Sequence, residues 1–522
     1  MKSLKRSAVI LTGITILSAC SNQSPDNKGK ALKDAEANNV QSINITMSSR
    51  SLPYVESSPN INEDKYVKKL EELSKTNVKI ELIPQTDFDQ KLNLLLAANE
   101  KLPDLLEVTA INTTITSNAM KNGAFLELND LIDKYGPNLK ANIPKDVWNS
   151  PAISSGGKIF AIPSINGVTH NQVVYVRKDW LDKLGLQVPK TIEEYINVLK
   201  AFRDQDPNGN GKKDEIPFSA RKNFRFGELF FGAYDVNPGD IIPAGAWKYV
   251  DGKLIPKFIL PEMKNALKLY RTLYQEKLID NEMFVLEGKD WDAKIKGAAR
   301  VGMWVHEPNY PDKWLSEVKQ GDPKAEIINI PAPIGPDGKG GGESLSSIRS
   351  AFAIPASSKN AVNVIKFLDW YYSKEADNFL TYGIEGEDYT INNGKIQYNY
   401  PTSVDAINKE NMHLMFLQIT GRPYVLNEEF MKGRPNGDLI TNALKVANSE
   451  GRMNDAVDMP VPSVISTKPE LGKNGLFMEA AAKIITGKED VDYFDKFVLD
   501  WKARGGDKAI EEATQWYKAN KK

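Results

Sequence analysis

One cysteine and three histidines in 522 residues leave little material for a disulfide framework or for a thiolate- or imidazole-based centre. With Cys20 alone there is no intrachain disulfide, so stability has to come from hydrophobic cores of adequate size. His170, His306 and His413 are widely separated. His306-Glu307 is followed by Pro308, Asn309 and Tyr310, which breaks the H-E-x-x-H zinc signature, and the chain has no G-x-S-x-G elbow and no P-loop. Net charge is scarce as well: 67 Lys+Arg against 68 Asp+Glu leave −1, with no overall basic field for a polyanion, which disfavours nucleic acid as a partner. Beyond the first twenty residues no apolar run is long enough to span a bilayer. What is present, 41% hydrophobic and 26% charged residues, is a globular composition. Single cores stop growing near roughly 250–300 residues, so this length predicts two lobes or more.

At the N-terminus Lys2, Lys5 and Arg6 precede an apolar stretch from Ala8 to Leu17 that ends in small residues, the pattern of an export signal. Leu17-Ser18-Ala19-Cys20 resembles the lipobox of a bacterial lipoprotein. That resemblance implies a signal peptide over residues 1–19, lipidation of Cys20 with palmitate-type acyl chains, and an extracytoplasmic protein anchored to the cell membrane. From Ser21 to Asn39 the chain is mostly Ser, Asn, Asp, Lys and Gly, which buries too little apolar surface to order; residues 20–39 read as a flexible tether.

The body alternates. Ile43, Ile45 and Met47 read as a strand, Tyr66, Leu70 and Leu73 as one face of a helix, and Val78, Ile80 and Leu82 as a second strand. Thr86 and Asp89 suggest a capping box before Leu92, Leu95 and Leu96, and Leu105, Leu106 and Val108 follow as a third strand. Strand–helix alternation predicts an α/β fold with a parallel sheet and a ligand crevice at the carboxyl ends of its strands. Further on, Lys158–Ile162, Val173–Val176, Val301–Val305 and Ala351–Ile354 read as strands, and Trp180–Leu184, Ile192–Phe202 and Val362–Tyr372 as helices.

Several fragments in this order resemble the extracellular solute-binding lipoproteins of bacterial ABC importers, in the oligosaccharide-type branch, family 1. They are QKLNLLLA at 90–97 before Leu102-Pro103-Asp104, GAFLELNDL at 123–131, GKIFAIP at 157–163, RKDWLDKLGL at 177–186, Val188 to Thr191, DPNGNGKKDEIP at 206–217, Gly383 to Gly386 with Tyr389, and Trp501 to Trp516. The resemblance implies a two-lobe, periplasmic-binding-protein-like fold closing over ligand at the seam. Lobe 1 would take residues 40–164 and 345–385, and lobe 2 residues 165–344 and 386–522, with hinges near Pro163–Gly167 and Ser344–Ser350. It also implies an oligosaccharide ligand, ABC permease subunits as membrane partners and a monomeric state. A peptide-binding or sensory surface lipoprotein, or a glycoside hydrolase whose two carboxylates come from distant segments, stays open as an alternative.

In the run Asp206 to Glu215 hard oxygen donors recur at every second residue, and Gly209 and Gly211 allow a tight turn. Calcium fits this pattern. One register uses Asp206, Asn208, Asn210, the Lys212 carbonyl, Asp214 and Glu215; the other, EF-hand-like, begins at Asp204 and ends at Glu215. The family's spacing favours the first, and either role is structural. A sugar cleft needs aromatic faces for pyranose C–H surfaces and polar groups for hydroxyls that lose water. Loop aromatics near strand ends, Tyr54, Trp247, Trp304, Tyr310 and Tyr382, are the candidates, with Trp304 foremost because it stands near the end of a strand. Asn112, Asn166, Arg225, Glu307, Arg349 and Glu385 are the polar candidates. Trp180, Trp370, Tyr371 and Trp501 sit at apolar helical spacing and read as packing residues.

Overall fold

The computed structural model describes residues 41–521 other than 99–101, 169, 171, 240 and 241. The expected signal peptide, tether and lipidated Cys20 lie outside the described residues. Nine strands build two sheets: β1 (Gln41–Ser48), β2 (Thr76–Ile83), β3 (Leu105–Val108), β4 (Ala161–Ile165), β5 (Val173–Arg177), β6 (Ile216–Ser219), β7 (Val301–His306), β8 (Ile327–Ile330) and β9 (Ile348–Ala353).

The first sheet runs β2-β1-β3-β9-β4. β1 alternates as its sequence suggests, with Ile43, Ile45 and Met47 buried, whereas β3 is buried at every residue, as a central strand covered on both faces should be. β1 and β3 pair in parallel, but β9 is antiparallel to both of its neighbours, β3 and β4. The expected parallel sheet is therefore a mixed one. β9 arrives only after the chain has built the second sheet and returns in the opposite direction. The second sheet runs β8-β5-β7-β6, with β5 antiparallel to β7 and β8, and β7 parallel to β6.

Helix starts follow local chemistry. The Asp64 carboxylate accepts from the Tyr66 N–H and opens Lys65–Ser74. Thr191 and Glu194 form a reciprocal capping box at the head of Ile192–Asp204. The Thr86 pattern is not used: its hydroxyl meets Asp87 at 3.2 Å, and a short turn over Gln85–Asp87 leads into the helix Phe88–Ala98.

Each sheet has its own hydrophobic core. The first gathers side chains between Ile43 and Ile162 with Ile348–Leu380, and the second those between Val168 and Ala332 with Phe430–Ala513. The chain crosses between them at 163–167 and again at 333–347. In the following stretch Tyr382, Tyr389 and Leu414 join the second core, while Met412, Phe416, Leu417 and Ile419 join the first. Among the described residues no helix is long and apolar enough to cross a membrane.

Candidate binding cleft and cation loop

A cavity of about 670 Å³ lies between the two cores, within the roughly 300–1,000 Å³ typical of small-molecule sites. One wall is built where β3 ends: the chain leaves the sheet at Val108 and lays Thr109, Ala110 and Asn112 along the crevice, joined by Ala152 and by Ile348 and Arg349 of β9. The facing wall is the segment Asn454–Val461 with Pro243 and Ala244, and the crossings contribute Asn166, Ser344 and Ser346.

The segment opposite is tied down from behind. The Ser344 N–H donates to the Arg452 carbonyl at 2.8 Å, the Arg452 N–H to the Gly342 carbonyl at 2.7 Å, and the Asn454 N–H to Ser344 Oγ at 3.0 Å. Fully buried Lys257 Nζ donates to Asp235 at 2.7 Å, to both oxygens of Glu343 at 2.8 and 2.9 Å, and to the Met453 carbonyl at 2.9 Å. Arg452 forms a bidentate pair with Asp337 at 2.5 and 2.9 Å. Two bonds then reach this segment from the first core's side: Ser150 Oγ donates to the Asp458 carboxylate at 2.6 Å, and Asn112 Nδ2 to the Asp458 carbonyl at 2.7 Å. Asp458 holds φ +67°, a conformation that Asp and Asn tolerate better than most residues.

Of the residues expected at the cleft, Asn112, Asn166 and Arg349 come together in this cavity. Asn166 clamps the two crossings to each other, its amide donating to the Ser346 carbonyl at 3.1 Å and its backbone N–H to the Ser347 carbonyl at 2.8 Å. Arg349 donates to Ser164 Oγ at 2.8 Å and to the Gln418 carbonyl at 2.9 Å. Crowding by protein, then repulsion from Arg50, pulls its pKa down to about 9. Its side chain nevertheless keeps open access to solvent, so the guanidinium remains charged at neutral pH. Among the described lining residues it is the one cation, set against Asp89 and Asp458.

None of the five candidate aromatics is among the described residues lining the cavity. Trp304 is 0% exposed: β7 is an inner strand covered on both faces, and the indole stacks on Tyr175 at 5.4 Å and against Trp314 at 5.6 Å. Trp247 is likewise buried, its Nε1 donating to the Ala244 carbonyl at 2.7 Å; it serves the cleft through its backbone N–H, which Asn454 Oδ1 accepts at 3.0 Å. Tyr382 packs among Tyr389, Tyr398 and Phe430 in the second core. Tyr54 lies half-buried beside the first core, its hydroxyl donating to Asp64 at 2.9 Å, and burial with that carboxylate pushes its pKa up to about 12. Tyr310 precedes the helix Pro311–Val318 and is partly exposed. Arg225 lies over the Phe226 ring at 4.9 Å, Glu307 is half-buried with its carbonyl accepting from the Tyr175 hydroxyl at 2.6 Å, and Glu385 is exposed beside Tyr389. Asn454 and Asp458, absent from the sequence-based candidates, carry no motif, and the prolines at 460 and 462 mark their stretch only as a loop; Ser344 enters there only as the edge of a hinge.

The Asp206–Glu215 loop is wound by its own side chains. Asp206 accepts from the N–H groups of Asn210 and Gly211 at 3.1 and 3.0 Å, and Asn208 and Asn210 donate to Asp214 Oδ1 at 3.2 and 2.9 Å. Those amide bonds lower the Asp214 pKa. Both Glu215 oxygens are buried with no hydrogen-bond donor, and burial together with the charges of Asp206 and Asp214 raises its pKa. Asp206, Asp214 and Glu215 bring three carboxylates into one short loop, which Lys183 Nζ also enters, donating to the Asp206 and Pro207 carbonyls at 3.1 and 2.9 Å, with the charges of Arg300 and Lys212 near Asp214; the oxygen-rich donors suit a hard divalent cation. No group of three or more His, Cys, Asp and Glu side chains is gathered into a ready-made metal site among the described residues, so the set depends on the Asn and carbonyl oxygens as well.

Residues 58–378 match the family model described as bacterial extracellular solute-binding protein. Two curated relatives are similar over most of their length. The polygalacturonan/rhamnogalacturonan-binding protein YtcQ of Bacillus subtilis is 27% identical, covering 95% of each chain. The fructooligosaccharide ABC transporter substrate-binding protein FusA of Streptococcus pneumoniae is 30% identical over 73% of this chain and 72% of its own. Among solved structures, an HMO-binding, ABC-transporter-associated solute-binding protein from Bifidobacterium longum infantis superposes with a TM-score of 0.70 at 21% identity, covering 93% of this chain and 100% of that one. The FusA EF-hand mutant in complex with fructo-nystose superposes with a TM-score of 0.63 at 22% identity, covering 92% and 99%. Two cores with a cavity at their seam are what a receptor that closes on a solute requires, and with the family match the chain belongs to the bacterial extracellular solute-binding proteins.

Proposed function

We propose that this protein is the lipid-anchored substrate-binding component of an ABC importer, capturing an oligosaccharide between its lobes and delivering it to membrane permease subunits. The observation that carries the reading is the cavity of about 670 Å³ at the seam of two cores, whose two sides are joined by the Ser150 and Asn112 bonds to Asp458. Bonds of this kind exist only when the halves are together, so they favour closure, and ligand shifts the balance by its greater affinity for the closed form. The relatives named for polygalacturonan, rhamnogalacturonan and fructooligosaccharide support a glycan. Residues 40–164 with 345–385 then form one lobe and 165–344 with 386–522 the other, apart from Tyr382, which packs in the second core, and Met412, Phe416, Leu417 and Ile419, which pack in the first. Hinges fall at Pro163–Gly167 and Ser344–Ser350. Cys20, lipidated, holds the receptor at the outer face of the membrane as a monomer, and no covalent chemistry on the sugar is required.

The loop would hold a structural Ca²⁺ through the carboxylates of Asp206, Asp214 and Glu215, the side-chain oxygens of Asn208 and Asn210 and the Lys212 carbonyl. Its charge would offset the burial and the carboxylate repulsion that raise the Glu215 pKa. The structure described as a FusA EF-hand mutant supports a cation-binding loop in either register.

A thermal-shift panel of glycans tests the main reading. A ligand at a hundredfold excess over Kd adds about 2.7 kcal/mol of stability and raises Tm accordingly. A shift with peptides and none with any glycan would replace it by the peptide-binding reading, and release of shortened sugars would make the protein a hydrolase.

A further inference from the structure

A second cavity, of about 260 Å³, adjoins the first and shares Asn112, Thr114, Met459, Pro460 and Val461 with it. Its walls are two helix faces, one from each side of the seam. On the first-core side, Thr113 caps the helix Thr114–Lys121, which turns Thr114, Ser117 and Asn118 onto one face. On the other side the C-terminal helix Asp507–Asn520 presents Glu512, Ala513 and Trp516, with Trp516 four and three residues beyond the other two. Trp516 is half-buried, packed against the second core, and no aromatic residue occurs among the described residues lining the larger cavity. Glu512 is already committed: it accepts from the Ser463 N–H at 2.6 Å and the Ser463 hydroxyl at 2.7 Å, which fixes the start of the short helix Ser463–Thr467. No Lys or Arg lines this second cavity among the described residues.

We propose that this space is an outer subsite in which a further, uncharged sugar residue lays its C–H face on Trp516 while Ser117 and Asn118 meet its hydroxyls. The inference rests on the oligosaccharide reading above and deepens it: the receptor selects chains long enough to run past Pro460, and it disfavours an acidic residue there because Glu512 offers repulsion and nothing offers a counter-charge. An aromatic platform of this kind suits a pyranose or furanose ring equally, since both have an apolar face.

The test is calorimetric titration of the full-length protein with kestose, nystose and their longer homologues, and with galacturonate oligomers of two to six residues, against wild type, Trp516→Ala and Trp516→Leu. Wild-type affinity should rise about tenfold at the chain length that first reaches the subsite, more for the neutral series than the acidic one. Both variants should lose that increment and bind the shorter members unchanged; Trp516→Leu keeps apolar packing against the core and so separates loss of the flat face from loss of fold. Equal weakening at every length, or none, overturns the subsite while leaving the receptor reading intact. Failure of every glycan to bind wild type overturns the receptor reading and the subsite with it.

Discussion

Ser150→Ala isolates the closure step from direct ligand contact. Ser150 is not among the described residues lining either interlobe cavity, yet its hydroxyl makes a 2.6 Å bond to the Asp458 carboxylate on the opposite side. A hydrogen bond to a charged group contributes about 1.5–3 kcal/mol, and Asp458 is half-exposed, so water would recover part of it and the lower end applies. A loss of about 1–1.5 kcal/mol from the closed form raises the apparent Kd roughly 5- to 12-fold when the unliganded protein is mostly open, and less when it is already mostly closed. The Asn112 bond to the Asp458 carbonyl stays, so closure is weakened and not abolished. The variant also removes an acceptor from the Ala152 N–H, a turn bond within the first core's own side, which bears on folding stability separately. Calorimetry gives Kd, and small-angle scattering of the free and liganded variant gives the balance of open and closed forms. An unchanged Kd where scattering shows the unliganded wild type mostly open, or no shift toward the open form where it shows it mostly closed, would refute the reasoning.

Lys257→Met strands Glu343, whose side chain is 2% exposed, and part of Asp235; losing one partner of a buried ion pair costs about 3–5 kcal/mol, read as a lower midpoint in urea at constant slope, and a cost under about 1 kcal/mol would show the pair to be dispensable. Millimolar Ca²⁺ should raise the Tm of wild type relative to chelator and leave Glu215→Gln nearly unmoved; equal responses would place the ion elsewhere. Burial, then the nearby charges of Arg221 and Lys296, lowers the His306 pKa from 6.5 to about 3. The unfolded chain therefore takes up a proton below pH 6.5 that the folded protein refuses. This contribution to stability is complete above pH 6.5 and declines by up to about 1.4 kcal/mol per pH unit as pH falls toward 3. His306→Phe should be less acid-sensitive than wild type between pH 6.5 and 4.5, and parallel curves would contradict the assignment.

Local pattern carried the sequence reading wherever a segment decides its own structure. Ile43, Ile45 and Met47 alternate and are buried in β1; Val301–Val305 reads as a strand and is the inner strand β7; and Ile192–Phe202 is a helix whose start is set by its own Thr191 and Glu194. The loop at 206–215 needs only neighbouring residues to wind, so its donor spacing was legible too. Tertiary structure alone sorted the aromatics. Trp304 stands just before the polar His306-Glu307 and Trp247 beside Lys248, but both are buried in space, because other segments cover them, Tyr175 and Trp314 against Trp304 and Asn454 against Trp247; burial is a property of what packs on a residue and not of its neighbours in the chain. The same reason hid Asp458 and Trp516. Each takes its place at the seam only because Ser150 and Asn112, or the helix Thr114–Lys121, are brought opposite by a chain that crosses between two cores.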